Sequence, residues 1–325
     1  MVQQQVGRGT VLSISYLGAL GRELPNFLDL NLNPTTMKNV TITLVPYNGT
    51  DTALGPAAKL GTSFVVPTYT SYGNAAMFGA AAADYQTITE VTSNINSSYN
   101  AFVAEIQNRS IHNLQFDFNY TWSHALDFSQ NATTTDTGNN WYDPYSNPRI
   151  NYGNSSYNVP NRFVGYVLYT FPTLETGKWY SYLSNGWKAD TSFQMQNGLP
   201  YSAEATGYTG DGVIGYWNGA EGSDIIPGIG VNTYQTPRKI VDDLRLEKDF
   251  RIHDRYNLEF FANMFNIANH QNIDGLGEVA YKLSGSGTAG VATFQQPTWQ
   301  VPNSSNSSGF LYTPREIEIS ARLSF

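Results

Sequence analysis

Residues 315–325 read REIEISARLSF, and from Ile317 onward apolar and polar residues alternate without a slip. Ile317, Ile319, Ala321, Leu323 and Phe325 fall on one side; Glu316, Glu318, Ser320, Arg322 and Ser324 fall on the other. Successive side chains of an extended chain point to opposite faces, so a period of two marks a half-buried β-strand. The sequence ends on an aromatic residue, where soluble domains usually end in frayed polar ones. A strand of about ten residues, apolar on one side and closing on Phe, has the length and polarity of a strand that crosses a bilayer in a barrel. The competing reading is the last strand of a soluble sandwich.

Composition weighs on the same choice. Charged residues make up 14% of the 325 residues, against about 25% in typical soluble domains. Aromatics are also 14%, with 22 tyrosines. Mean hydropathy is below zero, and no stretch approaches the roughly 18 apolar residues of a membrane helix. A membrane barrel reconciles these values. Its lipid-facing residues occupy alternate positions, which keeps average hydropathy low while aromatics gather at the interfaces. A net charge of −8 with no basic patch excludes nucleic acid as a partner. The absence of cysteine excludes a disulfide scaffold and a thiolate metal site. Residues 1–10 (MVQQQVGRGT) lack the basic start and apolar run of a signal peptide, so an exported chain is expected to have its leader upstream of Met1.

Working outward from the last strand, the clearest internal counterpart is residues 114–124 (LQFDFNYTWSH). Leu114, Phe116, Phe118, Tyr120 and Trp122 share one face, with Gln115, Asp117, Asn119, Thr121 and Ser123 on the other. Aromatics with polar tips at one end suit a lipid wall that meets an interface. Further strands are expected at 10–18, 86–95, 99–109, 162–171, 186–196, 238–250 and 255–267. Pro25 is expected to break the first ladder, and the polar run 96–98 to separate two strands. Residues 33–84 give only two short β-prone runs, 40–45 and 64–69, and an alanine-rich stretch at 74–83 that reads as a helical turn or a small-residue loop.

The links between these strands alternate in length. Counted back from the C-terminus, the first, third and fifth (269–314, 198–237 and 124–161) are long, whereas the second, fourth and sixth (251–254, 172–185 and 110–113) are shorter. Outer-membrane barrels place long loops outside and short turns on the periplasmic side, and a soluble sandwich has no reason to sort loops by end. The fold class predicted is all-β: an antiparallel transmembrane β-barrel, partial, with about ten to twelve strands of a larger barrel.

Little points to catalysis. Gly285, Gly287 and Gly290 spell GxGxxG, but no buried strand precedes them and no helical pattern follows, so a flexible loop is expected. The four histidines, His112, His124, His253 and His270, have no metal-ligand spacing. Asp211, Glu221 and Asp224 offer oxygen ligands of the kind that hold Ca²⁺, yet a Gly-rich loop is the plainer reading. We expect no enzyme, no metal and no cofactor. Trp141, Tyr142, Tyr145, Trp217 and Tyr234 lie on presumed outer loops, where aromatic faces can stack on a ligand or simply pack the loops.

A set of ordered blocks adds a family to this reading. TVLSISYLGALGRELP (10–25), YNAFVAEIQNR (99–109), LQFDFNYTWSHALD (114–127), the long block 143–172, NGLPYS (197–202), RYNLEFFANMFNIANHQNI (255–273) and TPREIEISARLSF (313–325) resemble the C-terminal barrel of TonB-dependent outer-membrane receptors. The resemblance is to the Oar-like group, whose members carry a carboxypeptidase-regulatory-like N-terminal domain. It implies outer-membrane localisation, outer-membrane lipid and the barrel-assembly machinery as partners, and uptake of an unidentified ligand bound at external loops. It implies contact with TonB only through a plug domain, which this chain lacks along with the regulatory-like domain and the first barrel strands. By the same resemblance Ile319, Ala321, Leu323 and Phe325 form the signal read by the insertion machinery. Two other readings stay open: a self-contained small barrel acting as a passive pore or structural protein, and a soluble carbohydrate-binding sandwich.

Overall fold

The computed structural model describes residues 1–325 except 8, 87, 129–147, 175–178, 208–224, 227, 253–255, 274, 287–288 and 303–313. In chain order its strands begin with β1 (Val2–Gln5), β2 (Thr10–Asp29), β3 (Met37–Val45) and β4 (Ser63–Tyr69). A one-turn helix α1 (Ala75–Phe78) precedes β5 (Thr89–Ile111), β6 (Leu114–Asp127), β7 (Gly153–Asn154) and β8 (Asn161–Thr170). After the short α2 (Ser181–Ser184) come β9 (Trp187–Gln196), β10 (Pro200–Tyr201), β11 (Glu204–Gly207) and β12 (Tyr234–Gln235). The chain ends with β13 (Lys239–Ile252), β14 (Tyr256–Phe265), β15 (Val279–Ser286), β16 (Ala289–Phe294) and β17 (Glu316–Ser324).

Ten strands make one antiparallel sheet in the order β1-β2-β5-β6-β8-β9-β13-β14-β17, with β7 attached to β6. Register carries the alternation of one strand to the next, because directly opposed residues point to the same face. Leu12 faces Ile106, which faces Phe118, which faces Gly165, which faces Phe193. At the other end Leu246 faces Ala262 and Ala262 faces Ile319. One side of the sheet is therefore a continuous apolar surface from β2 to β17. The opposite side has Glu105, Asn119 and Val164 in one row, and Lys188, Glu247, Phe261 and Ser320 in another.

Among the described residues no second layer covers the apolar surface. Trp122 is 61% exposed and Ile319 80%, and the buried hydrophobic clusters draw only on residues outside this face. A sandwich would bury these side chains between two sheets, so that reading is overturned. Aromatics mark both rims of the surface. Tyr16, Phe102 and Trp122 form a cross-strand row toward the long loops, and the Tyr16 and Tyr120 hydroxyls donate to Asn100 and Asn161. Tyr169, Phe171 and Trp187 sit near the turns. Between the rims, Gly165 lies under the Phe118 and Phe193 rings, where a Cβ would come within 2.5 and 2.7 Å of them. Aromatic cover of a strand glycine keeps the wall packed where the backbone has no side chain.

Among the described residues, Lys248 and Asp242 of β13 are charged yet share the apolar parity, and both lie near the ends of their pairings. Lys248 pairs with Trp187 at the start of β9 and donates to the Asn185 carbonyl, with its ammonium 4.3 Å from the Phe250 ring centre. Asp242 accepts from the Ala268 N–H at 3.0 Å. Each thus reaches backbone at the rim rather than sitting unpaired in the middle of the wall.

The short connections all lie at one end of the sheet and the long ones, 30–88, 128–160, 197–238 and 266–315, at the other. The loop-length reading is borne out. The sheet is open: among the described residues β1 pairs only with β2 and β17 only with β14. Its path has nine strands, so β1 and β17 run in the same direction, toward the turn end.

Some strand expectations are corrected. The run 96–98 does not interrupt anything: β5 is one strand of 23 residues, and Ser97 sits opposite Gly21, whose missing Cβ leaves room for the Ser97 hydroxyl. Pro25 stays within β2, because the register shifts between Gly21 and Asn26, with Glu23 at φ 52°, and the bulge absorbs the missing N–H. The alanine-rich stretch forms α1 and a following 3₁₀ turn.

Candidate functional site

The long loops fold together above the barrel end. From loop 30–88 come β3 and β4, from loop 197–238 comes β11, and from loop 266–315 come β15 and β16; they join in a five-stranded sheet of order β11-β15-β16-β3-β4. Its two joints between loops, β11 with β15 and β16 with β3, are parallel. Strands from separate loops can meet in parallel because each brings its own connections. Alternation in β3, with Val40, Ile42 and Leu44 inward, and in β4, with Phe64 and Val66 inward, builds the largest apolar core in the structure. Ile226, Ala280, Tyr281, Leu283 and Phe294 complete it. Gly285 and Gly290 thus stand opposite each other as paired residues of β15 and β16 rather than in a flexible loop, while Gly287 lies outside the described residues. Gly285 has φ 142°, and a Cβ there would lie 2.6 Å from the Ala289 carbonyl.

Buried polar groups pin the loops to one another. Tyr281 is fully buried; its hydroxyl donates to the Leu54 carbonyl and accepts from the Ala57 N–H, both at 2.7 Å. Burial pushes this phenol up to about 12 from an ordinary 10.0. Lys59 donates to the Ile229 carbonyl at 3.0 Å. Asn154 and Asn232 exchange side-chain amide to carbonyl bonds at 2.9 and 2.8 Å, joining loop 128–160 to loop 197–238. Asn31, fully buried, donates to the carbonyls of Ala82, Tyr85 and Gln86 and so holds the α1 segment against the end of β2. Asn272 brackets Ile240 with two bonds of 2.7 Å at the top of β13. Such cross-loop bonds make the cap a preorganised body rather than separate mobile loops.

Of the aromatic residues expected to bind ligand, Trp141, Tyr142, Tyr145 and Trp217 lie outside the described residues, as do Asp211, Glu221 and Asp224. Tyr234 is described. Its ring packs 5.7 Å from Tyr201 and 5.4 Å from Trp299, and Tyr234 and Trp299 lean on the cap core. Burial raises the phenols of Tyr201 and Tyr234, and Gln300 donates to the Tyr201 hydroxyl at 2.9 Å. Tyr201 belongs to the NGLPYS block, but nothing in that block marked it as the inner ring of a cluster whose partners lie 33 and 98 residues away. The strand residues Ile319, Ala321 and Leu323 stand exposed on the edge strand, with Phe325 94% exposed just beyond it.

On the polar side of the sheet, near the turn end, an ion-pair network spans four strands. Lys188 lies 2.6 Å from Glu247 and 3.3 Å from Asp249, and Arg322 lies 2.6 Å from Glu259. Arg245 stands over the Phe261 ring, 4.2 Å from its centre, and 4.0 Å from Glu247. Carboxylate oxygens of Glu247, Asp249 and Glu259 come within 4.8 Å of one another, yet three cations already answer these three anions. The arrangement neutralises itself and holds adjacent strands in register.

A one-layer sheet with a continuous apolar outer face, aromatic rims, a charged inner face and loops sorted by length is the wall of a transmembrane β-barrel. The family-level comparison agrees: residues 1–224 match the model of the outer membrane beta barrel domain. The chain belongs to that family and resides in the outer membrane. Among solved structures, the outer membrane transporter YddB from Escherichia coli aligns with 10% identity and a TM-score of 0.40, over 99% of this chain and 31% of that one. The chain thus spans about a third of that transporter's length. No curated protein matches.

Proposed function

We propose that this chain is the C-terminal portion of the barrel of an Oar-like TonB-dependent transporter, non-enzymatic, which takes up a ligand captured at the cap. The observation that carries the reading is the open sheet under a folded cap. Edge N–H and C=O groups cannot stay unpaired in lipid, so further strands must join β1 and β17. Because both edge strands run toward the turns, antiparallel closure takes an odd number of additional strands. A parallel β1–β17 seam, which a self-contained small barrel would need, breaks the antiparallel pattern of outer-membrane barrels. The ordered family blocks supply the rest of the proposal, including TonB contact through a plug domain and recognition of Phe325 by the barrel-assembly machinery. Reading the coding sequence in frame upstream of Met1 tests it. An odd number of strands preceded by a plug domain is the expected result; an unrelated sequence or a stop codon directly before Met1 overturns it.

A further inference from the structure

The inner face of the sheet holds a cavity of about 540 Å³ between strands β8, β9, β13 and β14. Its floor is backbone, because Val167, Thr191, Leu244 and Met264 lie in one cross-strand row and point their side chains to the apolar face. Side chains one residue to either side rise around it. Tyr166 and Phe265 stand toward the cap at the two ends, on strands about 14 Å apart, with Asp243 between them; Leu168 and Asp190 stand toward the turns.

Arg245 also lines this groove, yet the groove's carboxylates make no ion pair among the described residues. Asp190 lies directly opposite Arg245, where an ion pair is the natural outcome, but the Arg245 guanidinium is turned toward Phe261 and Glu247 instead. Asp190 makes no hydrogen bond or ion pair among the described residues. The Asp243 carboxylate accepts from the Asn266 N–H and makes no ion pair among the described residues. Asp190 and Asp243 are diagonal neighbours across β9 and β13, about 7–8 Å apart in such a register. Along the same rows β17 adds Glu316 and Glu318, which make no ion pair among the described residues. Lys188, Arg245 and Arg322 are consumed by the network below.

We propose that this groove is a binding station on the barrel's inner face for a linear organic cation, with amine or guanidinium groups separated by a short apolar spacer. One cationic group sits at Asp190 and the next at Asp243. The Tyr166 and Phe265 rings offer their faces to the charge, and Leu168 takes the spacer. The station requires only that the polar face lines the lumen, and is independent of TonB coupling.

Spermidine is a suitable probe, titrated calorimetrically into the full chain folded in detergent, with β content checked by circular dichroism. The wild type is expected to bind with an affinity that falls as salt rises. Asp190→Asn combined with Asp243→Asn is expected to weaken binding at least tenfold; the Asn side chain retains the acceptor for Asn266. Asp117→Asn, on the same face but outside the groove, is expected to bind as the wild type does. Absence of wild-type binding, undiminished binding by the double variant, or an equal loss in Asp117→Asn overturns the proposal.

Discussion

Replacing Tyr281 by Phe separates the cap from the barrel wall energetically. The substitution keeps the ring in its place against Phe294, 5.8 Å between centres, and removes one oxygen. That oxygen serves two backbone groups of the opposite loop, the Ala57 N–H and the Leu54 carbonyl, in a site with no solvent access. Leaving a buried group unsatisfied costs about 1–3 kcal/mol, so losing both partners should destabilise the cap by roughly 2–4 kcal/mol. Hydrogen exchange reads this directly. Amides of β3, β15 and β16 should lose protection by roughly 30- to 900-fold, while those of β6, β8 and β9 keep theirs. The raised phenol pKa adds a pH signature. The neutral phenol is favoured by folding, so its contribution is complete below pH 10.0, the unfolded value, and is lost as pH rises toward about 12. A wild-type minus variant tyrosinate absorbance titration should show one phenol ionising near 12. Equal loss of protection in cap and wall, or none in either, would refute the idea that Tyr281 pins an independent cap.

Phe118→Arg places a charge on the apolar face near mid-wall and should reduce membrane insertion, at a cost of roughly 2–4 kcal/mol. Asp117→Arg on the inner face should insert normally, as read by membrane-fraction yield. Gly165→Val pushes methyl groups into the Phe118 and Phe193 rings, and should lower the urea midpoint by an amount equivalent to about 1–3 kcal/mol; an unchanged midpoint would show that the rings are free to move aside. Deleting Phe325 should lower the yield of heat-modifiable folded barrel if the terminal aromatic acts in assembly, and leave it unchanged if Phe325 only extends the wall.

The wall was legible in the sequence because most residues there obey a local rule. Leu114 to Trp122 and Ile317 to Phe325 alternate, and lipid on one side with water on the other enforces that alternation over each strand. Legibility failed where pairing is nonlocal. Residues 40–45 and 64–69 read as isolated β-prone runs; that β3 would lie parallel to β16, some 250 residues later, is fixed by a shared core and by no local signal. Gly285 and Gly290 read as loop for the same reason, since β15 and β16 are held by Ile42 and Tyr281 from elsewhere rather than by their own propensity. Pro25 and the 96–98 run misled in the opposite direction. A bulge and a facing glycine carried the ladder past residues that ordinarily end it. The packed position of Tyr234 was hidden likewise, because Trp299 reaches it only when two loops meet.

In a barrel wall Leu114, Phe116, Phe118, Tyr120 and Trp122 face lipid. The chain contains no cysteine, so single cysteines can be placed at each position from 114 to 122 in otherwise native protein, spin-labelled and reconstituted in bilayers. The direct measurement is collision of each label with oxygen, which concentrates in lipid, against a water-soluble nickel chelate. A period of two is expected, with oxygen contact high at 114, 116, 118, 120 and 122 and nickel contact high at 115, 117, 119 and 121. Uniform accessibility along the strand, or alternation in the opposite phase, would contradict it.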